Sequence, residues 1–157
     1  MKAFRKLTLR LAAPADAMPI AAMSRELIEA GLPWSWTTER VARNLGQSDT
    51  LVLTARDGAH LAGFAIMQFG EERAHLSLLA VRPDCRRQGV GRRMLEWLTD
   101  SALTAGIASI HLELRENNPG ARRFYLEQGF SEAARIPGYY RGVETAVRML
   151  RDIRVKR

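Results

Sequence analysis

Leu7, Leu9 and Leu11 alternate with Thr8 and Arg10, a period of two that predicts a first strand from Lys6 to Ala12. After Pro14 and Asp16 the apolar spacing changes to Ile20, Met23, Leu27 and Ile28, that of an amphipathic helix stopped at Gly31. Leu32-Pro33-Trp34-Ser35-Trp36-Thr37 then leads through a Thr cap into a short helix carrying Val41 and Leu45. Leu51 to Arg56 and His60 to Phe69 read as a hairpin around Asp57-Gly58, with a further strand from Ala74 to Val81. Val90, Met94, Leu95, Leu98 and Leu103 predict a helix from Gly89 to Ala105, closed by Gly106. Ser109 to Leu114 reads as a buried strand, and Asn118-Pro119 starts a helix that runs to Gln128 before Gly129. Strands near Phe130 to Ile136 and Glu144 to Leu150 follow, separated by a Pro137-Gly138 turn.

The resulting order, β-α-α-β-β-β-α-β-α-β-β, implies an α/β or α+β sheet with crossover helices in its second half. Within it, Arg86-Arg87-Gln88-Gly89-Val90-Gly91 sits directly after a strand and before a helix. A glycine-rich turn there aims several backbone N–H groups at one point, where the helix adds about half a positive charge. Phosphate fits that environment, and Arg86, Arg87, Arg92 and Arg93 surround it.

Length and composition narrow the setting. The 157 residues, 46% hydrophobic and 26% charged, suit one globular domain spanning 1–157. No apolar run approaches a membrane span, and Arg10 interrupts what would be the core of a signal peptide. The single Cys85 excludes an internal disulfide, and His60, His75 and His111 have no metal-ligand spacing. A cytoplasmic, metal-free protein is expected. The net charge of +7 favours polyanionic partners, and the terminal group Arg148, Arg151, Arg154, Lys156 and Arg157 reads as a solvated end. A nucleic-acid-binding module is disfavoured, because no helix-turn-helix, zinc or RNA-binding signature accompanies the charge.

Leu79-Ala80-Val81-Arg82-Pro83, the Arg86 to Gly91 run, Glu113, Asn118, and Phe124-Tyr125 with Gly129-Phe130 together resemble the GNAT family of acetyl-CoA-dependent N-acetyltransferases. Pro33-Trp34-Ser35, Leu112-Glu113-Leu114-Arg115 and Tyr139-Tyr140 resemble its RimI-like group, which acetylates the N-terminal amine of a ribosomal protein. Ile136-Pro137-Gly138, before the two tyrosines, departs from that group's more basic pattern. The resemblance implies a mixed, mostly antiparallel sheet of about seven strands with about four helices, and a splayed parallel strand pair at the cofactor site.

It also implies roles. Acetyl-CoA is the donor: its pyrophosphate lies on the backbone of Arg87 to Arg92 (Arg87, Gln88, Gly89, Val90, Gly91, Arg92) with Arg86 adding charge, and its arm lies along Leu79, Ala80 and Val81. Glu113, on the face opposite Leu112 and Leu114, is the general base through a water, and Tyr125 is the acid that protonates the departing thiolate. Asn118, explained by capping alone, also holds the cofactor, while Trp34, Tyr139 and Tyr140 face the acceptor. Transfer is direct, within a ternary complex, and a covalent intermediate on Cys85 is rejected. The acceptor implied is a primary amine, a protein N-terminus in particular, because an α-amine near pKa 8 is about 3.3 kcal/mol easier to deprotonate than a lysine. A small-molecule amine acetyltransferase and a silent acyl-CoA sensor remain the alternatives.

Overall fold

The computed structural model describes residues 7–154. In chain order the elements are β1 (Leu7–Leu11), α1 (Ala17–Leu27), α2 (Thr38–Leu45), β2 (Thr50–Asp57), β3 (His60–Phe69), β4 (Arg73–Val81), α3 (Val90–Thr104), β5 (Ser109–Arg115), α4 (Pro119–Glu127), β6 (Ser131–Tyr140) and β7 (Glu144–Asp152). This is the expected order; the Lys6 end of the first strand lies outside the described residues. The strands form one mixed seven-stranded sheet in the order β1-β2-β3-β4-β5-β7-β6, in which β4 and β5 run parallel. Their register covers Arg73–His75 against Ser109–His111, although β4 continues to Val81 and β5 to Arg115. Among the described residues no helix is long and apolar enough to cross a membrane.

Two compact units divide the chain. The first comprises the residues up to Gln68 together with Leu78–Leu98; the second comprises Phe69–Ser77 and the chain from Thr99 onward. In the first, the apolar stripe of α1 (Ile20, Ala21, Met23) joins Trp36, Val41, Val52, Phe64, Ile66, Leu78 and Ala80 in a buried cluster. Each large side chain placed there contributes roughly 1.5–3 kcal/mol. Thr37 caps α2, its hydroxyl accepting from the Arg40 N–H at 3.3 Å. In the second unit, β5 buries Ile110, Leu112 and Leu114 on one face, while β7 contributes Ala146, Val147 and Met149 to the core.

One expectation changes, and one helix residue lies off the core. Leu103 is within α3 as expected and is 44% exposed. It follows Leu98 by five residues and therefore lies about 140° around α3 from it, off the buried stripe of Val90, Met94, Leu95 and Leu98. Pro137-Gly138 is not the turn between the last strands, because β6 continues through it to Tyr140 with an irregular register between Ile136 and Tyr140. Reversal occurs at Arg141 and Gly142, with φ of 57° and 72°. As the edge strand of the sheet, β6 can carry a proline without breaking an internal ladder.

One close approach explains a residue choice in β3. A Cβ on Gly63 would lie 2.6 Å from the Ala80 carbonyl oxygen and 3.1 Å from Met94 Cε. Backbone cannot move aside as a side-chain tip can, so Gly63→Ala is expected to lower stability by about 1–3 kcal/mol. Chemical denaturation checks this, and an unchanged midpoint would contradict the packing argument.

Candidate active site

The glycine turn is built from conformations that ordinary residues avoid. Arg87 has φ 62° and Gly89 φ 78°, and α3 begins at Val90. The Arg93 N–H donates to the Gly89 carbonyl at 3.0 Å, so the N–H groups of Val90, Gly91 and Arg92 lie ahead of the first full helical bond. Those groups and the helix dipole are of the kind that can receive an anion. Gln88 Nε2 donates to the Asp84 carbonyl at 3.3 Å, and Arg86 Nε donates to the Val81 carbonyl at 3.1 Å, tying the turn to the end of β4. The structure thus brings Leu79, Ala80 and Val81 together with Arg86 to Arg92 in the first unit. The Arg92 side chain reaches Glu96 at 3.3 Å. Cys85 is buried, with its thiol 3.5 Å from Asp84 Oδ1.

Glu113 lies in the second unit, on the face of β5 opposite Leu112 and Leu114, with its side chain only 8% exposed. Both carboxylate oxygens are engaged. Oε1 accepts from His75 Nε2 at 2.7 Å and from the Tyr139 hydroxyl at 3.4 Å, while Oε2 accepts from Arg148 Nε at 2.9 Å. The hydrogen bond from His75 is the main cause that pulls the Glu113 pKa from 4.5 to about 2, against burial and with help from Arg148. Glu113 is therefore held ionised at neutral pH. Beside it, burial first and the Arg73 cation second lower the His111 pKa, and His111 Nε2 lies 2.8 Å from Ser109 Oγ.

Other expected site residues are distributed among these elements. Asn118 caps α4, its Oδ1 accepting from the Ala121 N–H at 3.1 Å. Tyr125 is buried on the same helix, with its ring edge-on to Phe124 and Phe130 at 5.1 and 5.5 Å. Burial pushes its phenol pKa well above 10, so it is protonated at neutral pH. Tyr139 and Tyr140 stack edge to face at 4.9 Å, and burial raises both phenols. Thus Tyr139 joins Glu113 directly, whereas Tyr125 packs among aromatic rings.

The two nearby tryptophans separate in role. Trp36 belongs to the buried core of the first unit, while Trp34 is 38% exposed with the Arg25 guanidinium 5.0 Å from its ring. Trp34 lines a groove of about 420 Å³ with Met18, Ala22, Arg25, Glu26, Ala30 and Thr38. Its loop is held by Glu29, a residue that sequence reasoning missed. The buried carboxylate accepts from Ser24 Oγ, from Ser35 N–H and Oγ, and from the Trp36 N–H. Burial would raise the Glu29 pKa, yet these donors together lower it. His75 and Arg148 were also missed as site residues. Their signal is the alternation of polar Arg73, His75 and Ser77 with buried Ala74, Leu76 and Leu78 along β4, beside the similar alternation on β5.

The depressed pKa of Glu113 makes the folded chain sensitive to acid. Its contribution is fully present above about pH 4.5 and is lost as the pH falls toward 2, because the unfolded carboxyl then takes up its proton first. The stability gap between the native chain and Glu113→Gln should shrink by on the order of 1–3 kcal/mol between pH 6 and pH 2.5. Urea unfolding at both values measures it, and a constant gap would contradict the assignment.

Residues 21–130 match the acetyltransferase (GNAT) family. The chain is 37% identical over 105 residues to the [ribosomal protein bS18]-alanine N-acetyltransferase of Escherichia coli strain K12, covering 67% of this chain and 70% of that protein. It is 38% identical over 118 residues to the enzyme of the same name from Salmonella typhimurium, covering 73% and 78%. The crystal structure of the ribosomal-protein-S18-alanine N-acetyltransferase from Escherichia coli superposes with a TM-score of 0.80 at 33% identity, over 97% of both chains. The chain therefore belongs to the GNAT family of acetyltransferases and is an acetyl-CoA-dependent N-acetyltransferase.

Proposed function

We propose that this enzyme acetylates the α-amino group of a protein N-terminus in the cytoplasm, by direct transfer in a complex that holds donor and acceptor together. The observation that carries this reading is the 37% identity, over 70% of its length, to an alanine N-acetyltransferase of a ribosomal protein. The proton chemistry points the same way, because an α-amine asks about 3.3 kcal/mol less than lysine of whatever group removes its proton.

The residues divide the work. Backbone N–H groups from Arg87 to Arg92 would hold a pyrophosphate, with Arg86 and Arg92 adding charge. The strand end Leu79-Ala80-Val81 would hydrogen-bond an amide-bearing arm, and Asn118 would support it from the start of α4. Acetyl-CoA supplies the acetyl group and the thiol that leaves. Tyr125, protonated in its apolar surroundings, would donate a proton to the leaving sulfur. Glu113 would draw the incoming ammonium and anchor the network that removes its proton, with Tyr139 and Tyr140 beside it. Trp34, exposed in its groove, would receive the residues that follow the acceptor amine.

A peptide-library acetylation assay with mass-spectrometric site assignment tests the acceptor, and α-amine products are expected. Transfer only to lysine side chains or to free small amines would sink the proposal. Tyr125→Phe is expected to lower kcat about 10²-fold with little change in either KM. Gly89→Ala forces an alanine to φ near 78° and should raise the KM for acetyl-CoA several-fold while sparing the KM for the peptide. An unchanged donor KM would remove the turn from the donor site.

A further inference from the structure

Glu113 is not alone on its face. His75 presents Nε2 to Glu113 Oε1 at 2.7 Å, and its other ring nitrogen, Nδ1, lies 3.3 Å from the Ser77 hydroxyl. The order of groups is therefore hydroxyl, imidazole, carboxylate. A carboxylate held ionised can only accept a hydrogen bond, so Nε2 carries the hydrogen and the lone pair of the neutral ring is on Nδ1. The His75 side chain is 42% exposed, in contrast to the 8% of Glu113, so the imidazole has the access to solvent that the carboxylate lacks.

From this arrangement we infer that the proton of the attacking amine is accepted by Nδ1 of His75, with Glu113 fixing the tautomer and holding the imidazolium that forms. The inference rests on the proposed transfer to an amine and names the atom that serves it. The balance is simple. The N–H bond of the ammonium breaks and an Nδ1–H bond forms, directly or through the Ser77 hydroxyl, which gives up one proton as it receives another. The freed amine lone pair attacks, and the imidazolium later returns its proton to water. No electrons are exchanged with any other group.

Charge around the ring decides whether an imidazole can cycle in this way. Glu113 faces it from β5, with Arg148 from β7 and Tyr139 from β6 on the same carboxylate. His111 is its register partner on β5, and Arg73 lies two residues away on β4. Arg148 takes the second oxygen of Glu113 and offsets part of its charge. The ring is thereby oriented by a carboxylate that it shares with a guanidinium.

His75→Gln keeps an amide N–H for Glu113 and removes the lone pair at Nδ1. It is expected to lower kcat about 10²-fold, leave the KM for acetyl-CoA within twofold, and flatten the dependence of kcat on pH that a histidine base imposes. Histidine nitrogen NMR on the native chain should show the Nε2–H tautomer for His75, a preference that Glu113→Gln weakens. A kcat and pH profile unchanged in His75→Gln, a loss of kcat with the native pH profile retained, or an Nδ1–H tautomer in the native chain would each overturn the inference. Should His75→Gln fail to fold, His75→Asn is read for the same loss of pH dependence. If the native enzyme acetylates another amine and no α-amine, the proposed acceptor falls, and the His75→Gln comparison is made on that amine with the same meaning.

Discussion

A carboxylate held under the surface of a sheet has to be matched by its neighbours, and the matching of Glu113 binds four strands to one another. Its donors come from β4, β6 and β7, while Glu113 itself rides on β5. Period-two alternation fixes this geometry, because Ile110, Leu112 and Leu114 cannot enter the core unless His111 and Glu113 point the other way. A slip of one residue in β5 would bury a charge among leucines and expose the leucines. The hydrophobic register and the polar cluster therefore enforce one another.

The opposite demand governs the turn before α3, where the groups are left available. Positive φ at Arg87 and Gly89 curls the backbone so that N–H groups converge, and the bonds from Arg86 and Gln88 back to Val81 and Asp84 keep the curl in place. An ordered binding turn loses less entropy when a ligand arrives than a mobile one. Arg87 holds a conformation that most residues adopt only at a cost, which is consistent with a backbone selected for what it points at.

Much of the fold is legible in the sequence, since periodicity, caps and glycines are local properties. The α1 and α3 stripes, the Thr37 and Asn118 caps and the β2–β3 hairpin all follow from spacings within a few residues. The Pro137-Gly138 pair misleads because local turn preference yields to position on an edge strand. The site divides along the same line. The glycine turn and Asn118 announce themselves, whereas His75 is 38 residues from Glu113 and Arg148 another 35. Their meeting depends on which strands pair and in what register, and no spacing along the chain encodes it. Glu29 is hidden for a related reason, because an acid near a helix end looks solvated until the loop beyond it folds over.

The Glu29 arrangement has a consequence for how the surface of this groove can change. The loop between α1 and α2 is fixed through Ser35 and Trp36, whose backbone N–H groups share one buried carboxylate. The ring of Trp34 takes no part in that fixing and projects outward into the groove. The frame and the surface it displays are thus separately specified, one by a buried acid and the other by an exposed ring. Substitution at position 34 can alter the surface of the groove while the loop keeps its path, so the face this scaffold displays can change without the fold being rebuilt.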